Sequence, residues 1–420
     1  MMVFFGLYTI VDTIFIARFV NTDALSALNI VTPAINVVVG LGTMLATGGS
    51  AIVARKLGGG MDAEARGNLS LLVLAGVAIG LVLAGLGLLF AEELAVLLGA
   101  SEILLPYAAS YLSILLVFAP ANVLQVLFAV FFVTAGRPGL GMVAGVSGGV
   151  ANAVLDYLFM GPLDMGIAGA AVATGIGYLV PVIIGVSFFW RNRRGTLYFT
   201  ATRFDGRVLG ESCINGSSEM VAQLSAAVTT FFLNAAMMKL LGENGVAAIT
   251  IIIYSQFLLI TLFIGFSMGV APVISYNYGS GNDGQLRRML KICLGTITVC
   301  SLVIFTATCL GGPALMQAFS PPGTEVYAIS SGGFAIFRFS FLLCGFNIFA
   351  SALFTALSNG PVSAVISFAR TFGFLLMGIL LLPLYFGVAG IWVTIPLAEL
   401  LTFGLSVLLF WKNRSRYRYF

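Results

Sequence analysis

Long apolar runs separated by short polar punctuation dominate this chain. Read end to end, the runs predict twelve helices, over residues 1–20, 26–55, 67–91, 105–135, 139–161, 165–190, 210–240, 245–278, 287–318, 326–356, 361–383 and 387–411. Each run is long enough to cross a bilayer, since about 20 apolar residues suffice. The runs are continuous rather than alternating ten-mers, which excludes a transmembrane β-barrel. No cleavable leader is expected, because the first run carries Asp12 and Arg18 and has no basic start before it.

The same pattern repeats. Shifted by 221 positions, Gly58, Gly60, Asp62 and Arg66 fall on Gly279, Gly281, Asp283 and Arg287. Pro162, Gly166 and Gly169 fall on Pro383, Gly387 and Gly390, and Trp190, Asn192 and Arg193 on Trp411, Asn413 and Arg414. The expected fold is therefore an all-α polytopic membrane protein, twelve helices in two six-helix lobes. An even-numbered unit gives both copies the same topology, related by a pseudo-two-fold axis along the membrane normal. The expected division is an N-lobe over 1–190, a cytoplasmic linker over 191–209, a C-lobe over 210–411 and a basic tail over 412–420. Helix seven begins near Gly210, so the first helix looks short at its cytoplasmic end.

Composition narrows the class. Of 420 residues, 60% are hydrophobic and 9% charged, and the mean hydropathy is +1.07. A soluble fold carries about 25% charge, so a soluble enzyme and a nucleic-acid binder are both excluded. There is no histidine, hence no His-based triad, metal site or proton relay. The five cysteines lack CxxC spacing and read as small core residues.

Charge sorts by side. Sixteen of the 20 basic residues lie on one set of loops, from Arg55 and Lys56 to Arg416 and Arg418. The positive-inside rule makes those loops and both termini cytoplasmic, in a cytoplasmic (inner) membrane. Trp190 and Trp411 sit beside basic residues at inner helix ends, as interfacial anchors do.

Two lobes about a midplane are the architecture of a secondary transporter. No P-loop is present, so an ion gradient is the expected energy source. No cofactor is expected beyond a coupling H⁺ or Na⁺. The expected partners are a small organic substrate and membrane lipid, with the monomer as functional unit.

Charged residues inside spans are costly and so are candidates for function. Asp12 lies roughly 12 Å from the outer end of its helix. Asp156, with Asn152 one turn deeper on the same face, and Thr174 lie at similar depth in the N-lobe. The repeat equivalents, near Leu233, Gly373, Met377 and Ile395, carry no such cluster. No Lys or Arg within the N-lobe spans neutralises the two carboxylates, so they need protons or a cation. Asp, Asn and Thr oxygens suit Na⁺ as a hard cation. Helix-to-helix hydrogen bonding is the structural alternative. Glu219, Arg338, Arg370 and Glu399 form a second set in the C-lobe, summing to zero charge. They read either as paired structural bridges or as a coupling network. Tyr8, Tyr111 and Gln125 are candidates for a cavity wall. Pro33, Pro120, Pro181, Pro272 and Pro396 mark bends.

Several stretches carry a family likeness. Tyr8-Thr9-Ile10-Val11-Asp12 resembles the first-helix signature of multidrug and toxic compound extrusion (MATE) transporters. Gly48-Gly49-Ser50 with the Gly58–Gly60 turn, Ala135-Gly136-Arg137-Pro138 and Ser275-Tyr276-Asn277-Tyr278-Gly279 are similar to others. Asn152 and Asp156 resemble its N-x-x-x-D pair. The likeness spans the chain and is nearest to the DinF-like and MepA-like bacterial branch. It implies efflux of organic, often cationic and aromatic, compounds in exchange for H⁺ or Na⁺ by alternating access. It also implies coupling-ion binding at Asp12, Asn152, Asp156 and Thr174, with Tyr8 and Tyr111 on the same cavity. A lipid-linked precursor flippase or a dedicated metabolite exporter of the same superfamily is the alternative; a membrane enzyme is disfavoured by the absence of a nucleophile or metal motif.

Overall fold

A computed structural model describes residues 15–16 and 19–417. Among them no strand occurs, and nearly all are helical. Backbone polar groups have no water partner in hydrocarbon, so helices are the solution open to long apolar runs. The first predicted span lies almost wholly outside the described residues, and Tyr8 and Asp12 with it.

The remaining predicted spans are all found. They are α1 (Thr22–Gly58), α2 (Asp62–Leu97), the pair α3 (Leu105–Val117) and α4 (Ala119–Thr134), α5 (Pro138–Met160) and α6 (Gly166–Arg191). Then come α7 (Gly206–Gly279), α8 (Asp283–Gln317), α9 (Glu325–Phe337), α10 (Cys344–Ala356), α11 (Gly360–Phe368) and α12 (Met377–Tyr417). Local sequence sets their starts. Asn21 accepts from the Ala24 amide at 2.7 Å and caps α1, and Asn282 accepts from the Gln285 amide at 3.0 Å and caps α8. Proline stands in the first turn of α3, α4, α5 and α11, where its missing N–H costs nothing.

Helix α7 runs for 74 residues, which unbroken would span roughly 110 Å. It is divided at Gly242, with φ 63° and ψ −151°, into the predicted seventh and eighth spans. Gly387, with φ 55° and ψ −135°, likewise divides α12 into the end of the predicted eleventh span and the twelfth. Both glycines occupy a backbone region essentially closed to other residues.

Three further breaks interrupt the spans, and only the first falls beside a proline marked in the sequence. A 55° bend separates α3 from α4 at Phe118, beside the Pro120 marked in the sequence. A 3₁₀ turn, Arg338–Leu342, interrupts the tenth span, and a π-helical segment, Ala369–Leu376, follows α11. Pro33, Pro181, Pro272 and Pro396 lie within helices that continue through them.

The 221-residue repeat is written in the backbone as well. Gly60 and Gly281 have φ of 75° and 66°, and Gly166 and Gly387 have φ of 57° and 55°. The bend at Phe118 and the 3₁₀ turn containing Phe339 are 221 positions apart. Trp190 and Trp411 are both largely exposed, and the Arg414 guanidinium lies 4.6 Å above the Trp411 ring.

The chain forms two compact units, Met1–Leu224 and Ser225–Phe420. The division falls inside α7, not in the 191–209 segment. That segment is pinned to α2: Arg66 Nε donates to the Thr196 carbonyl at 2.9 Å, and the Thr200 amide donates to Ser70 Oγ at 3.0 Å. The opening of α7 lies against α1 because glycines let the backbones approach. A Cβ on Gly48 would stand 2.0 Å from the Ser212 carbonyl oxygen, and one on Gly216 1.9 Å from that of Met44. In the second unit, aromatic residues build the core, with Phe334, Phe337, Phe341, Phe349 and Phe354 all buried.

Candidate functional site

Helices α5 and α6 of the first unit pack through their glycines. A Cβ on Gly148 would lie 2.7 Å from the Gly177 carbonyl oxygen, and one on Gly177 would lie 3.0 Å from Asn152 Cβ. Small residues allow this approach in membrane helices. The approach brings polar side chains together: Asn152 Nδ2 donates to Thr174 Oγ1 at 3.3 Å. Both residues are buried, at 2% and 5% exposure. The other amide atom, Asn152 Oδ1, is buried with no hydrogen-bond partner among the described residues. Asp156 follows Asn152 by four residues, so it shares its helix face, and it is fully buried.

A narrow crevice opens beside this pair. Its wall includes Gln125, Asn152, Thr174 and Tyr178, with glycines 145, 148, 149 and 177 and Pro181 completing it. Gln125 is oriented by Asn122, whose Oδ1 accepts from Gln125 Nε2 at 3.5 Å. Tyr111 is 2% exposed and packs in the apolar cluster of α3 with Leu112, Leu115 and Leu116, away from the crevice wall. Sequence reasoning missed Tyr178 and the glycine wall. The signal was present in Gly148-Gly149 facing Gly175-x-Gly177-Tyr178.

The second set of charges is only partly assembled. Arg370 and the buried Glu399 form an ion pair, with Nε and Nη2 of the partly exposed arginine donating to Glu399 Oε1 at 3.0 and 2.5 Å. Asn347 Nδ2 donates to the other oxygen, Oε2, at 2.7 Å, and also to the Glu399 carbonyl at 2.9 Å. Glu219 lies on the opening half of α7, within the first unit. Arg338 opens the 3₁₀ turn, its Cζ 6.0 Å from the centroid of Phe339. Neither Glu219 nor Arg338 joins an ion pair among the described residues. Of the four charges read as paired bridges or as a coupling network, Arg370 and Glu399 form one bridge, and Glu219 and Arg338 stand apart from it among the described residues.

Chemically, the first unit offers neutral oxygens on a glycine-walled crevice, with a buried carboxylate one turn along α5 from Asn152. Such a set can hold a proton, a hard cation or the charged end of an organic cation. No group of three or more His, Cys, Asp or Glu residues suited to a metal occurs among the described residues.

Comparison with known proteins agrees with this architecture. The MatE family model matches twice, over residues 1–158 and 220–398, one match in each half of the repeat. The multidrug export protein MepA of Staphylococcus saprophyticus is 24% identical over 98% of this chain and 90% of its own length. A solved outward-facing multidrug resistance MATE family transporter superimposes with a TM-score of 0.92 at 22% identity, covering 100% of this chain and 94% of its own. The MATE multidrug transporter DinF-BH, solved in complex with R6G, gives a TM-score of 0.90 at 25% identity over 98% and 93%. Matched by its family model in both halves and by MATE structures over nearly its whole length, the chain belongs to the MatE family.

Proposed function

We propose that this protein is a secondary active multidrug efflux antiporter. It exports organic, cationic and aromatic compounds in exchange for H⁺ or Na⁺ by alternating access. It acts as a monomer in the cytoplasmic membrane, with both termini in the cytoplasm, and it is a transporter rather than an enzyme, using no cofactor. The observation that carries this reading is the buried contact of Asn152 with Thr174 beside the crevice, with Asp156 one turn away on the same face.

The coupling follows from competition. Asp12 and Asp156, with Asn152 and Thr174, hold either the coupling ion or the cationic end of the cargo. Ion and cargo are both cations that compete for the same carboxylates, so one occupant leaves as the other enters. By linkage, the ion weakens the cargo's hold by the same factor that the cargo weakens the ion's. Gln125 and Tyr178 present polar edges along the crevice.

The test is efflux of a fluorescent cationic dye from proteoliposomes, with pH and Na⁺ gradients imposed separately, for the wild type and Asp156→Asn. Movement driven by one gradient and lost in the variant supports antiport. No movement under either gradient turns the reading toward a lipid-linked precursor or a dedicated metabolite.

A further inference from the structure

The two units treat one position of the repeat in opposite ways. The 221-residue offset holds on both sides of that position, with Gly139 and Gly360 before it and Pro162 and Pro383 after it. Between these markers, Gly149 corresponds to Arg370. In the next helix, bounded by Gly166 and Gly387 and by Trp190 and Trp411, Tyr178 corresponds to Glu399. Gly149 and Tyr178 line the open crevice of the first unit. Their counterparts in the second unit bind each other.

The second-unit arrangement has the form of a filled binding site. Glu399 is 4% exposed. One of its oxygens takes two nitrogens of the Arg370 fork, and the other takes the Asn347 amide. Asn347 is itself held, because it also donates to the Glu399 carbonyl and its Oδ1 accepts from Ser406 Oγ at 3.4 Å. The carboxylate is thus fixed by groups other than the arginine. Arg370 reaches it from the π-helical segment Ala369–Leu376, a form of helix that is rare and concentrated at functional sites. A guanidinium is a planar organic cation whose delocalised charge matches a carboxylate.

We propose that Arg370 is a tethered organic cation. It occupies, in the second unit, the cleft that the first unit keeps open, and Glu399 with Asn347 forms a guanidinium-class binding site around it. Arg370 is then a specificity-determining residue: while it stays seated, free organic cations have the first unit alone. That consequence rests on the cation-binding reading of the first unit; the site around Glu399 does not.

The experiment is chemical rescue. Purified Arg370→Ala protein is titrated with methylguanidinium at millimolar levels, against matched sodium chloride, and its thermal unfolding is followed. The expected result is a saturable rise recovering at least half of the lost Tm. No such rise is expected in the wild type or in Arg370→Ala with Glu399→Gln. A Tm that does not respond, or that rises equally in the double variant, overturns the proposal. If Arg370→Ala cannot be recovered folded, it is purified with methylguanidinium present throughout. Recovery there and not with Glu399→Gln added supports the site, and failure in both overturns it.

Equilibrium binding of a cationic dye reads the specificity role. The expectation is one dye per wild-type chain, two for Arg370→Ala and one for the double variant. One dye in all three overturns that role. A wild type that binds none, with rescue intact, counts instead against the cationic reading of the first unit.

Discussion

Asn152 Nδ2 donates to Thr174 Oγ1 at 3.3 Å across the glycine seam between α5 and α6. Thr174→Val keeps the shape and removes the acceptor, leaving a buried amide donor unmet. That costs about 1–3 kcal/mol, and the Tm in detergent falls accordingly. Thr174→Ser restores the oxygen and recovers most of the loss. An unchanged Tm in Thr174→Val shows that the contact does not order the site.

Asp156→Asn removes the charge of a fully buried carboxylate at nearly constant volume. Dye efflux from proteoliposomes falls at least tenfold and no longer responds to the driving gradient, while the protein still folds. Efflux that keeps its full gradient dependence places the coupling ion elsewhere.

Much of this was legible in the chain because membrane helices obey length and polarity rules with few exceptions. Runs of uninterrupted apolar residues located every described span, and the 221-residue offset between Gly166 and Gly387 marked the repeat. The 3₁₀ turn at Arg338–Leu342 carries no proline or glycine, so residue type gave no warning. The repeat did hold one, since Phe339 sits 221 positions beyond the Phe118 bend. Helical spacing and depth put Asn152 and Thr174 at one level of the first lobe, and the hydrogen bond between them came only with the packing of α5 on α6. Tyr178 was missed because one tyrosine in an apolar helix looks like packing until the facing glycines are placed. Glu219 and Arg338 were grouped with Arg370 and Glu399 by charge balance, which says how many partners are needed but not which helices meet.

Gly216→Ala tests the approach of α7 to α1. The added methyl would stand 1.9 Å from the Met44 carbonyl oxygen and 2.7 Å from its carbon, both backbone atoms that cannot swing aside. Overpacking of this kind costs about 1–3 kcal/mol. The yield of monodisperse protein and the Tm both drop, and more so for Gly216→Val. Gly210→Ala, where an added Cβ meets nothing within 4 Å, is the control and leaves both unchanged.

For the Arg370–Glu399 pair, breaking and replacing differ. Glu399→Leu alone strands a mostly buried guanidinium and costs about 3–5 kcal/mol. Adding Arg370→Met restores most of that stability, because an apolar pair of similar volume needs no desolvation. Tm values of the two single variants and the double variant form the cycle that measures this. Additive losses mean that the two side chains do not depend on each other.

The seat of α7 on α1 bears on how the protein is made. The first unit ends at Leu224, beyond the sixth span and well into the seventh. A nascent chain that has delivered only the first repeat leaves the glycine face of α1 around Gly48 without its cover. Domains fold as units during synthesis, so the first unit closes only after part of the second repeat has entered the membrane. The duplicated module and the folding module are thus out of register by half a helix, and a gene cut in the 191–209 segment yields a leading fragment that must wait for its trailing one.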